Sequence, residues 1–451
     1  MEMVTQMVTD ASDFLWNVVL IILLCGTGIY YTIRLRFIQV RKFGEGCKQV
    51  FGHMLSKGNK GNAGEMTPFQ SVATAIAAQV GTGNLAGAAT ALISGGPGAI
   101  FWMWVSAFFG MSTIYAEAVL AQEYRTVKDG EVTGGPVYYI KAAFQGTFGK
   151  VLAGCFAVFI ILALGFTGNM VQSNSIGSAF AEVFDAYNLN IPSIAVGVVL
   201  AAICAVIFLG GVDRLAAVVE KIVPLMAGIY IVGSLILIGL HITAVPAAFR
   251  MIFVGAFNPE AVVGAGAGIA VREAIRFGVA RGLFSNEAGM GSTPHAHARA
   301  AAENPHKQGL AAMISVFIDT FIILNLTVFS ILTTGVLDCG KQGTALTQAA
   351  FTTSFGSFGM IFVAVCLLFF AFSTILGWHF FGLVNVKYLF GDKAGKVYSL
   401  LVVVFVMIGS VLKVDLVWSM SDFFNGLMVI PNAIALWALG NGVVEIMKKF
   451  S

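Results

Sequence analysis

Charge is what this sequence has least of. Only 11% of its 451 residues are Asp, Glu, Lys or Arg, against about 25% in soluble domains, so an ordinary water-soluble fold is excluded. No basic run accompanies the small net charge of +3, and a nucleic-acid partner is excluded with it. The six cysteines (Cys25, Cys47, Cys155, Cys204, Cys339 and Cys366) show no CxxC or other paired spacing, which argues against a disulfide framework; inside an apolar span a cysteine acts as a small hydrophobe. Strict apolar–polar alternation over about ten residues, the mark of a transmembrane barrel, is missing. The opening "MEMVTQMVTDASDFLW" has no basic n-region, so the first apolar stretch reads as a retained helix and not a cleaved signal.

What is present is apolar. Hydrophobic residues make up 58% of the chain and mean hydropathy is +0.86. Apolar stretches of about 20 residues, the length a bilayer core demands of a helix, recur throughout, so the expected class is an all-α polytopic membrane protein. Eleven spans are expected, near 14–33, 68–94, 97–123, 151–182, 192–210, 222–244, 264–302, 309–334, 356–386, 397–412 and 416–439. Thr67 before Pro68 is a start signal, a hydroxyl cap followed by proline at the first helical position. The seventh stretch is too long for one straight span and holds Arg272, Glu273, Arg276 and Arg281; its first third reads as a separate, surface-lying or re-entrant segment.

Lysine and arginine in the loops set the orientation. With the N-terminus outside, the inside segments carry 20 of the 26 Lys and Arg residues and the outside segments carry three, Arg250, Lys341 and Lys413. The C-terminus is then cytoplasmic.

Against this apolar background "AAQVGTGNLAGAAT", residues 77–90, is anomalous: polar and glycine-rich in the middle of a span. It has a counterpart in "SNEAGMGST" at 285–293, the two sharing Asn-x-Ala-Gly at Asn84–Gly87 and Asn286–Gly289. Each lies in the first span of a set of five, and five is odd, so the second set runs inverted. Unwound backbone in a bilayer leaves N–H and C=O groups without partners, at several kcal/mol each in hydrocarbon. Glycine-interrupted helices at matching positions of inverted repeats therefore point to a binding site. Freed N–H groups suit a carboxylate and freed carbonyls suit a cation or ammonium, so a zwitterionic amino acid with a small cation would satisfy both. Close helix packing through small residues accounts for Gly87, Ala91 and Gly95, but not for Gln79, Thr82 and Asn84. On that reading Gly83→Val should be far more damaging than Gly95→Ala.

"GGPGAIFWMWVSAFFG" at 95–110, together with "QVGTGNLAGAATA" and "FSNEAGMGSTPHAHARA", resembles the alanine or glycine:cation symporter family (sodium:alanine symporters) over essentially the whole chain. The resemblance implies the five-plus-five inverted-repeat fold of the bacterial leucine transporter. An extra N-terminal transmembrane helix and basic linker would occupy 1–65, the repeats 66–244 and 245–440, and a cytoplasmic tail 441–451. It also implies site residues. The substrate carboxylate would meet the N–H groups of Thr82 and Gly83, and the ammonium the carbonyls near Gln79, Phe284 and Ser285, beside Asn286. Asn84 would orient this backbone or reach the ligand, and Gln172 would supply a side-chain contact, with Asn169 and Asn174 as competitors. Trp378 would border the pocket. Sodium would be held by carbonyls of Ala77, Val80 and Phe370 and the hydroxyls of Ser373 and Thr374. Back-bonding to the preceding turn is the alternative for those hydroxyls.

Three carboxylates remain at or near membrane depth, where ionisable residues are usually functional. Glu287 adjoins the second break and suits a proton or gating site. Asp319 reads as a bond to a neighbouring helix, and Glu117 as a partner of Arg125. His295 and His297, two apart, fall on different helix faces and do not make a metal site. The expected function is secondary active symport in the plasma membrane (the bacterial or archaeal inner membrane), a small neutral amino acid such as alanine or glycine moving with sodium. A monomer should suffice, without organic cofactor or catalysis. Proton coupling is the alternative, and an ion channel a more distant one.

Overall fold

The computed structural model describes residues 10–12, 14–55, 65–128, 130–258, 271–412 and 414–450. Helices dominate them, and their one sheet is a hairpin pairing Thr126–Lys128 with Glu131–Thr133. Five helices are long and apolar enough to cross a membrane alone: Gly98–Glu123, Gly146–Ala186, Gly211–Leu240, Pro305–Thr334 and Ser357–Phe390. Two bent pairs bring the number to seven, Pro68–Gln79 with Gly83–Gly95 at 44° and Val417–Ala438 with Gly440–Phe450 at 60°. The other four of the eleven apolar segments fold as Leu20–Arg34, Ser193–Phe208, Asp392–Gly409 and the interrupted helix Val271–Asn286. Of the separate segment expected at the start of the seventh stretch, 264–270 lies outside the described residues, and the part from Val271 on is continuous with the helix Val271–Asn286.

The first broken helix starts where its cap directs. The Gln70 N–H donates to Thr67 Oγ1 and the Thr67 N–H to Gln70 Oε1, both at 3.1 Å, with Pro68 next in line. This reciprocal box satisfies two of the donors that a helix start leaves free. The helix stops at Gln79 because Val80 leaves helical geometry (ψ 89°), and it resumes as a π turn at Gly83–Gly87. The second broken helix ends at Asn286. Its break holds three left-handed residues, Glu287 (φ 56°), Gly289 (φ 85°) and Gly291 (φ 80°), before Pro294–Ala298 restarts the helix. Glycine takes that backbone freely; Glu287 does so at a cost of order 1–3 kcal/mol.

Small-residue packing divides differently than the spacing suggests. A Cβ on Gly95 would lie 2.9 Å from the Cβ atoms of both Ala99 and Phe277, whereas one on Gly87 would meet only Thr82 O, at 3.9 Å. Gly95 is thus a true contact glycine, and Gly95→Ala is not the mild change expected from sequence. Two further π segments, Ile161–Gly168 and Phe317–Leu324, interrupt neighbouring helices at the level of the breaks. Such widened turns recur at functional sites.

Candidate functional site

The two breaks meet face to face. Gly83 lies so close to the second broken helix that a Cβ there would be 3.0 Å from Ser285 Cα and 3.1 Å from its Cβ. Gln79 Nε2 donates to the Asn286 carbonyl at 2.9 Å. Asp319, on the π segment of Pro305–Thr334, ties both helices together. It accepts from Asn84 Nδ2 at 2.7 Å, from the Ser285 hydroxyl, 3.0 Å from either oxygen, and from Thr320 Oγ1 at 2.9 Å. All of these residues are buried. The bond to a neighbouring helix expected of Asp319 is a bond to both broken ones.

Within the first break the backbone is held by side chains. The Gly81 N–H donates to Asn84 Oδ1 at 3.0 Å and the Thr82 N–H to Gln172 Oε1 at 3.2 Å. Both ends of the Asn84 amide are therefore engaged, Oδ1 by the backbone of the break and Nδ2 by Asp319. Gln172 faces the break, while its competitors point elsewhere: Asn169 donates to Gly165 O, and Asn174 to Gly409 O and Leu412 O. Two polar atoms here, Gln79 Oε1 and Thr82 Oγ1, are buried without a hydrogen-bond partner. Such groups each cost about 1–3 kcal/mol, a cost that a polar ligand in the break would remove.

Next to the break four oxygens converge. Thr374 Oγ1 lies 2.8 Å from Ala77 O, 3.0 Å from Phe370 O and 3.4 Å from Val80 O. One hydroxyl has one proton, so it can serve only one of the three carbonyls at a time. The remaining acceptors suit a hard cation, which takes oxygen ligands. Ser373 is arranged differently: its hydroxyl donates back to Phe370 O at 2.8 Å and lies 3.4 Å from Met226 Sδ. Gly81 seals this corner, since a Cβ there would be 2.4 Å from Thr374 Oγ1 and 3.1 Å from Gln172 Oε1.

The second break is satisfied from within the protein, by Glu117. Glu117 accepts from the Gly289 N–H at 3.0 Å, the Gly291 N–H at 2.9 Å and Asn432 Nδ2 at 2.7 Å. The expected pairing with Arg125 is not made. Arg125 donates to Ala300 O at 2.7 Å and pairs with Glu65 at 3.5 Å. A carboxylate bonded to freed N–H groups is the arrangement foreseen for a ligand, supplied here by a side chain. The helix itself continues through Phe284 and Ser285, so their carbonyls belong to its last turn, where C=O groups lack intrahelical partners.

Trp378 is buried, 2% exposed, which rules out a lipid-facing anchor. Its Nε1 donates to Glu287 Oε1, and its ring meets Phe284 edge-on with centroids 6.0 Å apart. His295 and His297 bond Asn385 and Gln308, and no group of three metal-ligating side chains occurs among the described residues.

The two sides of the breaks differ in packing. Beside Gly83–Gly95 lies a cavity of about 430 Å³, reached between Thr90, Ser175, Gln348 and Trp418, with the Arg281–Asp422 ion pair at 2.6 Å on its margin. Around Pro68–Gln79 the packing is tighter, the cavity lined by Pro68, Phe69 and Val72 being only about 40 Å³. Ser71 Oγ donates to Ala296 O at 2.9 Å, Gln122 Nε2 to His297 O at 2.5 Å, and Met66 N–H to Arg299 O at 2.8 Å.

Residues 1–451 match the model of the sodium:alanine symporter family. The chain belongs to that family. It is 40% identical to the sodium/alanine symporter AgcS of Methanococcus maripaludis over 452 residues, covering 99% of this chain and 97% of that one. It is likewise 40% identical over 448 residues to the amino-acid carrier protein AlsT of Bacillus subtilis, covering 99% and 92%. Among solved structures, MhsT in complex with L-phenylalanine superposes with a TM-score of 0.58 at 12% identity, covering 87% of this chain and 99% of that chain. The protein therefore has the leucine-transporter-like inverted-repeat fold that the family resemblance implies. As a family member it is a multi-pass membrane transporter and not an enzyme.

Proposed function

We propose that this symporter moves a small neutral amino acid, alanine or glycine, together with sodium, with its N-terminus outside the plasma membrane and its C-terminus in the cytoplasm. The observation that carries this reading is the pairing of two unlike features at one break. Buried, unpartnered Gln79 Oε1 and Thr82 Oγ1 lie a few residues from the carbonyls of Ala77 and Val80, which compete with Phe370 O for the one hydroxyl proton of Thr374. The first suits a polar organic ligand, the second a bare cation.

A bound amino acid would set its carboxylate on the N–H groups of Thr82 and Gly83, at the start of the resumed helix, where the dipole favours negative charge. For this the Gln172 amide turns over, releasing the Thr82 N–H and offering its own NH₂. The ammonium would face Gln79 Oε1 and the last-turn carbonyls of Phe284 and Ser285, and Trp378 would limit the side chain. Sodium at Ala77, Val80, Phe370 and Thr374, with Ser373 as a fifth oxygen, would tie the first broken helix to Ser357–Phe390. Alternating access then requires the bonds around Ser71, Gln122 and Met66 to open as the 430 Å³ cavity closes.

Counterflow of labelled alanine in proteoliposomes tests carrier action. Exchange against a trapped unlabelled pool is expected; a conductance without exchange would mean a channel. Thr374→Ala should raise the sodium concentration for half-maximal uptake by about 5- to 150-fold, the equivalent of the 1–3 kcal/mol that one lost buried polar contact is worth. Uptake titrated with sodium chloride at constant ionic strength measures this, and an unshifted sodium curve would remove Thr374 from the site.

A further inference from the structure

Glu287 adjoins the second break, and the proposed transport cycle does not employ it. It is fully buried and sits in left-handed backbone that a glycine would occupy without strain. Its N–H closes the last turn of the second broken helix on Leu283 O at 2.9 Å, and Ser292 Oγ donates to its Oε2 at 2.5 Å across the break. Backbone and carboxylate are thus both fixed before the remaining oxygen is considered. That oxygen, Oε1, accepts from Trp378 Nε1.

The indole is otherwise held only by packing. Gly168 lies flat against it, since a Cβ there would come within 2.6 Å of Cζ3, and Phe284 meets its edge. Packing alone permits a ring to slide or tilt in its plane; a directed hydrogen bond at one corner does not. The other charged and titratable side chains facing this corner are Asp319 and Glu117, both held by hydrogen bonds of their own. Neither competes for the indole N–H.

We infer that Glu287 is a positioning residue for substrate selection: its carboxylate, anchored in the second break, pins the Trp378 indole as the wall that limits the substrate side chain. The inference rests on the proposed amino-acid site. A strained glutamate in place of glycine is explained because glycine offers no acceptor for the indole. Selectivity for small side chains then depends on a residue that never touches the substrate, and it is coupled to the helix bearing Thr374.

The test is competition of labelled alanine binding, on purified protein in detergent with sodium, by unlabelled glycine, alanine, valine and leucine. Trp378→Ala should weaken alanine yet admit valine and leucine, lowering alanine-over-valine discrimination at least tenfold. Glu287→Ala should lower it by a similar factor while alanine still binds, and Glu287→Gln, which keeps an acceptor oxygen, should stay within about threefold of wild type. Trp378→Phe, which keeps a ring but removes the donor, should broaden selectivity as Glu287→Ala does. In the double variant Glu287→Ala with Trp378→Ala the losses should not add, as for residues acting through one contact. Wild-type discrimination in both Glu287→Ala and Trp378→Phe, or strictly additive losses in the double variant, would overturn the inference. Failure of every amino acid to compete in the wild-type protein would instead overturn the amino-acid site itself.

Discussion

Gly81→Ala is expected to abolish sodium-dependent alanine uptake while leaving a folded, membrane-inserted protein. The added methyl would stand 2.4 Å from Thr374 Oγ1, closer than real Cβ atoms approach, and a tight 3.1 Å from Gln172 Oε1. Neither neighbour can yield without loss. Thr374 withdraws from the carbonyls of Ala77 and Val80, or Gln172 is pushed out of the break and can no longer turn its amide toward the ligand. One methyl therefore strikes both halves of the proposed site, and the loss should exceed that of Thr374→Ala, which removes one oxygen. Uptake and sodium titration in proteoliposomes, with protein yield and size-exclusion profile as the control for folding, are the measurement. Normal uptake by this variant would mean that Gly81, Thr374 and Gln172 do not meet as described.

Gly83→Val should be comparably severe for a different reason. Its Cβ would press on Ser285 at 3.0–3.3 Å, and the two γ-methyls would extend further into the seam between the broken helices. A β-branched residue is also stiff where the backbone leaves the regular helix. Because Ser285 bonds Asp319, and Asp319 bonds Asn84, separating the helices at Gly83 loosens the whole junction. The matched control is Gly87→Ala, one helical turn further on, where the added carbon meets a single atom at 3.9 Å. It should bind and transport alanine at close to the wild-type level. Equal loss in Gly83→Val and Gly87→Ala would show that glycine content in this helix matters for folding in general and not for the seam.

Much of this was legible in the sequence because bilayer physics restricts the choices. A polar, glycine-rich stretch inside an apolar span has few structural explanations, and the repeated Asn-x-Ala-Gly marks both breaks. The Thr67–Pro68 cap was readable because its partners lie within one turn. Gln172 facing the break, and Thr374 facing Ala77 and Val80, followed from the family resemblance; spacing alone left Asn169, Asn174 and simple back-bonding open. What escaped were contacts between distant segments. Glu117 was assigned to Arg125 because sequence shows what lies along one helix, and not that a facing break offers two N–H groups. Gly87 and Gly95 looked equivalent because periodicity gives a common face without saying which residue touches a neighbour. The π turns left no signal at all, since residues such as Phe317–Leu324 read as ordinary helix. The bond between Glu287 and Trp378 has no sequence signal either, since it joins positions in two separate spans.

The central claim is that sodium, and not a proton, is the ion coupled to amino-acid uptake. Proteoliposomes loaded and diluted so that an inward sodium gradient, an inward proton gradient, or neither is present test it directly, with labelled alanine uptake read over the first seconds. Concentrative uptake is expected with the sodium gradient at equal pH on both sides, and none with the proton gradient in sodium-free buffer. Full uptake driven by the proton gradient without sodium would contradict it.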